Sequence, residues 1–204
     1  MPSAIEVVIL QHPLEVNNTK GTARLLHLSL PNSQLEIGEQ FSTDRWLHDG
    51  TMNSPARCEP RTTYLLYPPL PGAVSVENEV DHVVAAPALA HLPLRLIVLD
   101  ATWRKSRKML HLNPTLRALP RMTLEHLPAS RYRIRKAARP EQLSTLEATC
   151  HALQQLGDAS APIEQLLCAF DAWVRTTQAR IDQHVLQRTR AVAYGAASDV
   201  ERDG

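Results

Sequence analysis

Cysteine is scarce in this chain of 204 residues: Cys58, Cys150 and Cys168 are odd in number and far apart. Neither a disulfide framework nor a CxxC zinc knuckle can be read from them, and buried thiols are the expectation. Long apolar runs are missing too. Nothing approaches the roughly 18 consecutive apolar residues of a membrane span, so no membrane segment is expected. The first residues, Met1-Pro2-Ser3-Ala4-Ile5-Glu6, have neither the basic nor the apolar region of a signal peptide, which makes a cytoplasmic location the expectation. No segment repeats another. Net charge is nearly absent as well, at a formal +1, and taken alone it points to no partner.

What is present is an ordinary globular composition, 44% hydrophobic and 21% charged, in a chain long enough for one substantial core. A single domain over residues 1–204 is expected, with a motif-bearing core at about 5–156, a helical part at about 162–190 and a frayed tail at about 195–204. The charge is unevenly spread. Between Asp100 and Pro140 stand 11 Lys or Arg against two acids, a local +9; the remainder holds 11 bases and 19 acids, −8. Such a segment attracts polyanions, phosphate backbones above all, or is a solvated helix face and an Arg-rich loop paired with acids elsewhere in the fold.

Strands and helices alternate along the chain. Strands are expected at residues 5–10, 35–37, 62–67, 96–99 and 121–124, and helices at 23–30, 43–48, 102–112, 144–156 and 162–188. Pro68-Pro69-Leu70-Pro71-Gly72 makes a rigid loop, and residues 73–93 form a weakly patterned excursion. Leu96-Ile97-Val98-Leu99 reads as a strand covered on both faces. The alternation predicts an α/β fold, a mostly parallel sheet with helices on both faces, whose ligands belong at the carboxyl ends of the strands.

Three such ends carry polar groups. At His12-Pro13-Leu14-Glu15, with Asn18 to Thr22 following, a turn either caps the next helix or offers its amides to an anion. At Asp100-Ala101-Thr102-Trp103 the carboxylate stands at the expected N-cap of a basic helix, a stabilising position that also fixes a proton acceptor rigidly. Trp103 shares a helical face with Ser106 and Leu110, and is either core or a stacking surface for a ligand; Arg104, Arg107, Lys108 and His111 share another. At Gln142 to Ala148, Ser144 and Glu147 have capping-box spacing, and the Arg-rich stretch Arg131 to Lys136 leads to that helix start. An anion held there is the functional alternative.

Asp100-Ala101-Thr102-Trp103 resembles the D-x-T-W signature of the DTW-domain proteins, the tRNA-uridine aminocarboxypropyltransferases. Agreement in order and spacing extends to His12-Pro13-x-Glu15, the Thr19 to Leu26 segment, Leu66-Tyr67-Pro68, Tyr132-Arg133-Ile134-Arg135 and Leu143 to Ala148, over roughly residues 5 to 156. The resemblance implies an enzyme that moves the 3-amino-3-carboxypropyl group of S-adenosylmethionine to N3 of a tRNA uridine, on an α/β fold of SPOUT-like, knotted type. Longer members of the family carry an N-terminal cysteine cluster expected to hold zinc. That cluster is missing here, so no metal is expected. Where other members read Thr-Asn-Thr-Gly, this chain reads Asn18-Thr19-Lys20-Gly21-Thr22.

Carried onto this sequence, the resemblance makes Asp100 the proton acceptor for N3, with Trp103, His12 and Glu15 beside it as the catalytic group. Thr19, Leu66, Tyr67, Pro68, Leu99, Thr102, Leu143, Ser144 and Thr145 would line the cofactor site. Arg104, Arg107, Lys108, Arg131, Arg133, Arg135 and Lys136 would hold tRNA phosphates without reading sequence. Two other readings stay open, an S-adenosylmethionine-dependent RNA methyltransferase of related fold and a non-catalytic RNA-binding module.

Overall fold

The computed structural model describes residues 5–18, 21–42, 61–68, 83–89, 94–132, 134, 143–158 and 163–200. Its centre is a pair of parallel strands, β1 (Ile5–Gln11) and β5 (Leu94–Asp100), in register from Ile5 opposite Leu94 to Gln11 opposite Asp100. Four further strands complete the sheet: β2 (Ser33–Ile37), β3 (Thr62–Leu66), β4 (Val83–Ala85) and β6 (Arg121–Thr123). The order is β2-β1-β5-β3-β6-β4, and every pairing is parallel. A parallel sheet must be covered on both faces, and the alternation within β1 shows how. Ile5, Val7 and Ile9 face one core, built with α1 (Ala23–Ser29), α4 (Thr145–Gln155) and α5 (Ile163–Val200). Val8 and Leu10 face the other, built with α2 (Trp103–Leu112) and α3 (Pro114–Arg117). Leu94, Leu96 and Val98 join the first core and Ile97 the second, so β5 is an apolar run because both its faces are inside.

The central register is pinned by charge at its far end. Glu6 stands opposite Arg95, and its carboxylate accepts from the Arg95 guanidinium at 2.9 Å, with both side chains buried. A one-residue slip would turn this pair to opposite faces.

Several expectations need correction. Asp100 is not the N-cap of the basic helix: β5 keeps pairing through Asp100, the chain turns at Ala101, and Thr102 caps α2, its Oγ1 accepting from the Lys105 amide at 3.4 Å. Cys150 is buried, but Cys168 lies on the outward side of α5 and is exposed. Residues 73–93 contain β4 and a 3-10 turn at Ala86–Leu89; a strand of three residues is too short to show alternation. α5 runs on to Val200, past the frayed tail expected from about residue 195. The helix expected at residues 43–48, and residues 135–142 of the connection into α4, lie outside the described residues.

Candidate active site

From β1 the chain moves outward to β2, whereas β3 lies on the far side of β5. The carboxyl ends of β1 and β5 therefore meet where the strand order reverses, the position at which open parallel sheets bind ligands. Residues there are joined directly: the His12 amide donates to the Asp100 carbonyl at 3.1 Å. A cavity of about 350 Å³ opens at this point. The segment after β1 contributes Leu14, Glu15, Asn18, Gly21 and Thr22; the β5–α2 turn contributes Asp100, Ala101, Thr102 and Lys105; Tyr132, Ser144 and Thr145 close it. Gly21 fits because its amide reaches the Asn18 carbonyl at 2.7 Å, and a Cβ there would meet that oxygen at 3.0 Å.

Asp100 is held from two sides. Gln11 Nε2 donates to its Oδ2 at 2.9 Å and Thr145 Oγ1 to its Oδ1 at 2.7 Å. Each carboxylate oxygen keeps a further lone pair, so the group can accept again at the cavity wall. Thr145 is placed by the start of α4, where the capping box is complete: the Glu147 amide donates to Ser144 Oγ at 3.2 Å and the Ser144 amide to Glu147 Oε2 at 2.8 Å. Glu147, only 2% exposed, also accepts from Ser130 Oγ at 2.9 Å and the Arg131 amide at 2.7 Å. One buried carboxylate thus fastens the stretch leading to Tyr132 onto α4. Thr22 Oγ1 accepts from the Leu146 amide at 3.3 Å, binding the other wall to the same helix end.

Charge is distributed in pairs. Lys105 Nζ meets Glu15 Oε1 at 2.7 Å inside the cavity, and Asn18 Nδ2 donates to Glu15 Oε2 at 2.9 Å. His12 is buried, with Nδ1 accepting from the Leu14 amide at 3.1 Å, which leaves the proton on Nε2 to face Glu39 Oε1 at 2.8 Å. Glu39 also receives Lys108 Nζ at 2.8 Å. The Lys108 hydrogen bond is the main reason its carboxyl sits below the usual value, with the Lys108 charge and the His12 contact acting the same way against partial burial.

Of the residues singled out from sequence, Asp100, Glu15, Thr102, Ser144 and Thr145 line this cavity together. His12 stands just behind it, fixing the 3-10 turn Pro13–Glu15 that carries Leu14 and Glu15. Trp103 is exposed and packs edge-on against Tyr67, ring centres 5.5 Å apart, while Tyr67 hydroxyl meets Ser106 Oγ at 2.9 Å. Leu66 packs against the first core and Leu99 against the second, Pro68 is exposed and Leu143 half-buried; none of them, nor Trp103 or Tyr67, lines the cavity. Thr19, Arg133, Arg135 and Lys136 lie outside the described residues. Arg104 and Arg107 are exposed on α2, Lys108 is paired with Glu39, and Arg131 with Asp171 at 2.7 Å. That ion pair raises the Arg131 pKa above its ordinary value.

Gln11, Thr22, Lys105 and Tyr132 were not singled out individually. Lys105 follows Thr102 by three residues, and helical spacing puts the two on one side, a signal that was available. Gln11 gave none, because its role comes from pairing with a strand 89 residues away.

Comparison with known proteins bears on what this site serves. The chain is 30% identical over 166 residues to tRNA-uridine aminocarboxypropyltransferase 2 of Macaca fascicularis, and equally to that of Mus musculus, covering 80% of this chain and 52% of each relative. The Drosophila melanogaster protein of the same name is 32% identical over 161 residues, 76% of this chain and 58% of its own. The chain thus spans about half the length of the curated relatives it matches. No solved structure matches it significantly. The DTW domain profile matches residues 1–178, which contain every strand of the sheet and every cavity-lining residue. The chain belongs to the DTW domain family.

Proposed function

We propose that this protein is a tRNA-modifying transferase that carries the 3-amino-3-carboxypropyl group of S-adenosylmethionine to N3 of a tRNA uridine. The observation that carries this reading is the buried Asp100 carboxylate, held by Gln11 and Thr145 at the wall of a cavity in the sheet's switch point, in a chain whose relatives bear the name of that transferase. The cavity's volume falls in the range of small-molecule sites, and its mixture of ionised groups and hydroxyls suits a charged donor. When bound, S-adenosylmethionine supplies an activated carbon, whose bond to the sulfonium breaks with the electron pair staying on sulfur, giving methylthioadenosine.

The chain's own groups have defined tasks. Uridine N3 is a poor nucleophile while protonated, so a proton acceptor must face it; Asp100 takes that proton as the N3–carbon bond forms. Gln11 and Thr145 orient the carboxylate, and His12 positions the turn bearing Glu15. Thr102, Ser144 and Thr145 face the donor from the cavity wall, whereas an adenosine contact at Leu66, Tyr67, Pro68, Leu99 or Leu143 would have to lie beyond the cavity. Trp103 offers an exposed ring for a flat group to stack on. Arg104 and Arg107, with Lys108, Arg131, Arg133, Arg135 and Lys136, attract phosphates; Lys108 and Arg131 exchange Glu39 and Asp171 for them. Bringing the two reactants together in line is the larger part of the rate.

The test uses unmodified tRNA and donor labelled separately in its methyl and its carboxyl carbon. Carboxyl label on uridine, with methylthioadenosine released, is expected, and methyl label alone overturns the reading. Asp100→Asn keeps the shape, its oxygen accepting from Gln11 Nε2 and its NH2 donating to Thr145 Oγ1, whose hydroxyl turns from donor to acceptor; its rate should fall by about 100- to 10,000-fold with the fold retained in a thermal melt. An Asp100→Asn enzyme of undiminished rate removes Asp100 as the proton acceptor.

A further inference from the structure

Two carboxylates, Asp100 and Glu15, and one ammonium, Lys105, line the cavity; among the described residues Lys105 is its one cation. Formal charge in the site is therefore −1, arranged as two negative groups and one positive. The donor proposed above carries the opposite set, a sulfonium, an ammonium and a carboxylate. We infer that Lys105 and Glu15 form a zwitterion clamp that reads the α-amino-acid end of the donor, Lys105 holding its carboxylate and Glu15 its ammonium. This inference rests on the reading that the cavity takes S-adenosylmethionine.

Three features of the pair support the assignment. Its two side chains are largely but not wholly buried, at 21% and 12% exposure, so they are accessible from the cavity and shielded from bulk solvent, where charge-assisted hydrogen bonds count for most. Both are anchored independently of each other: Glu15 by the turn that His12 stiffens and by Asn18 Nδ2, Lys105 by the first turn of α2. And they already meet at 2.7 Å, so each ligand charge takes over a partner that the protein holds in place. A zwitterion inserted between them keeps every charge paired, whereas a ligand lacking the carboxylate leaves the pair as it stands. The clamp also separates donor from spent product. Methylthioadenosine has lost the amino-acid end and all three charges, and nothing in the clamp retains it.

Calorimetric titration of the purified protein with S-adenosylhomocysteine and with its decarboxylated analogue, S-adenosyl-3-thiopropylamine, tests this without turnover. The wild type should bind S-adenosylhomocysteine about 10- to 100-fold more tightly, the contribution of a hydrogen-bonded carboxylate. Lys105→Met should abolish that preference by weakening S-adenosylhomocysteine alone, and Lys105→Arg should restore most of it. Equal affinity of the wild type for the two ligands, or an unaltered preference in Lys105→Met, overturns the clamp while leaving the donor assignment standing. Parallel losses for both ligands in Lys105→Met also overturn it. Failure of the wild type to bind either ligand overturns the donor assignment and the clamp together.

Discussion

Asp100 shows how much a single residue's role depends on its partners. Gln11 and Thr145 occupy one lone pair on each oxygen and so fix the direction of the others. Glu39, outside the cavity, is a comparable case: Lys108 first, then His12, favour its ionised form, so the contribution of these contacts to stability is present above the ordinary carboxylate value and is lost as pH falls through the lowered one. Cys150 runs in the opposite direction. Burial pushes its thiol up from 9.0 to about 12, with Glu147 adding to the effect. The folded protein keeps the thiol protonated where the unfolded chain ionises, so this contribution is intact below about pH 9 and is lost as pH rises toward 12. Iodoacetamide at pH 8 should modify exposed Cys168 and spare Cys150 until the protein is unfolded, as peptide mapping will read. Modification of Cys150 in the folded protein would contradict its burial. Local sequence could flag Asp100 and Glu15 because each stands at a strand end, and the family resemblance added Thr145. It could not flag Gln11, whose partner is brought close only by the sheet.

At the scale of elements, the start of α4 has the most consequence for the cavity. Ser144 and Glu147 do what their spacing predicted, but Glu147 also gathers Ser130 and Arg131, a link no local pattern contains. Ser144→Ala should cost about 1 kcal/mol, the usual value of an N-cap. Glu147→Ala should cost roughly 2–4 kcal/mol, since several buried donors lose their acceptor at once. Urea unfolding of the two variants will rank them; equal costs would reduce Glu147 to an ordinary cap partner. α2 divides the basic segment in the same spirit. Lys105 turns to the cavity, Lys108 to Glu39, and Arg104 and Arg107 to solvent, while Arg121 is buried in β6 beside the Tyr67 ring. Part of the charge run thus pairs with distant acids and part faces solvent, as the reading of a solvated, acid-paired face expects.

The whole molecule joins the cavity to the C-terminal helix. Ile163, Leu166, Phe170 and Val174 of α5 enter the larger core, and Phe170 packs on Tyr132 with ring centres 5.5 Å apart, so α5 backs one wall of the cavity. Phe170→Ala should destabilise the protein by about 3–5 kcal/mol, in the range of buried aromatic truncations. It should also weaken S-adenosylhomocysteine binding, because Tyr132 loses its backing; a thermal melt and a titration on the same sample read both, and full affinity in Phe170→Ala would free the cavity from α5. The alternation of strands and helices and the apolar run at β5 were enough, from sequence alone, to determine an α/β fold, because local spacing carries them; the family, and with it Thr102 and Thr145, came from the resemblance of the motifs in their order. Only the tertiary structure decided that Thr102 and not Asp100 caps α2, that Lys105 meets Glu15 and that Gln11 steadies Asp100. These depend on which strands lie side by side, and strand order is set by packing over the whole sheet, which no window of sequence contains.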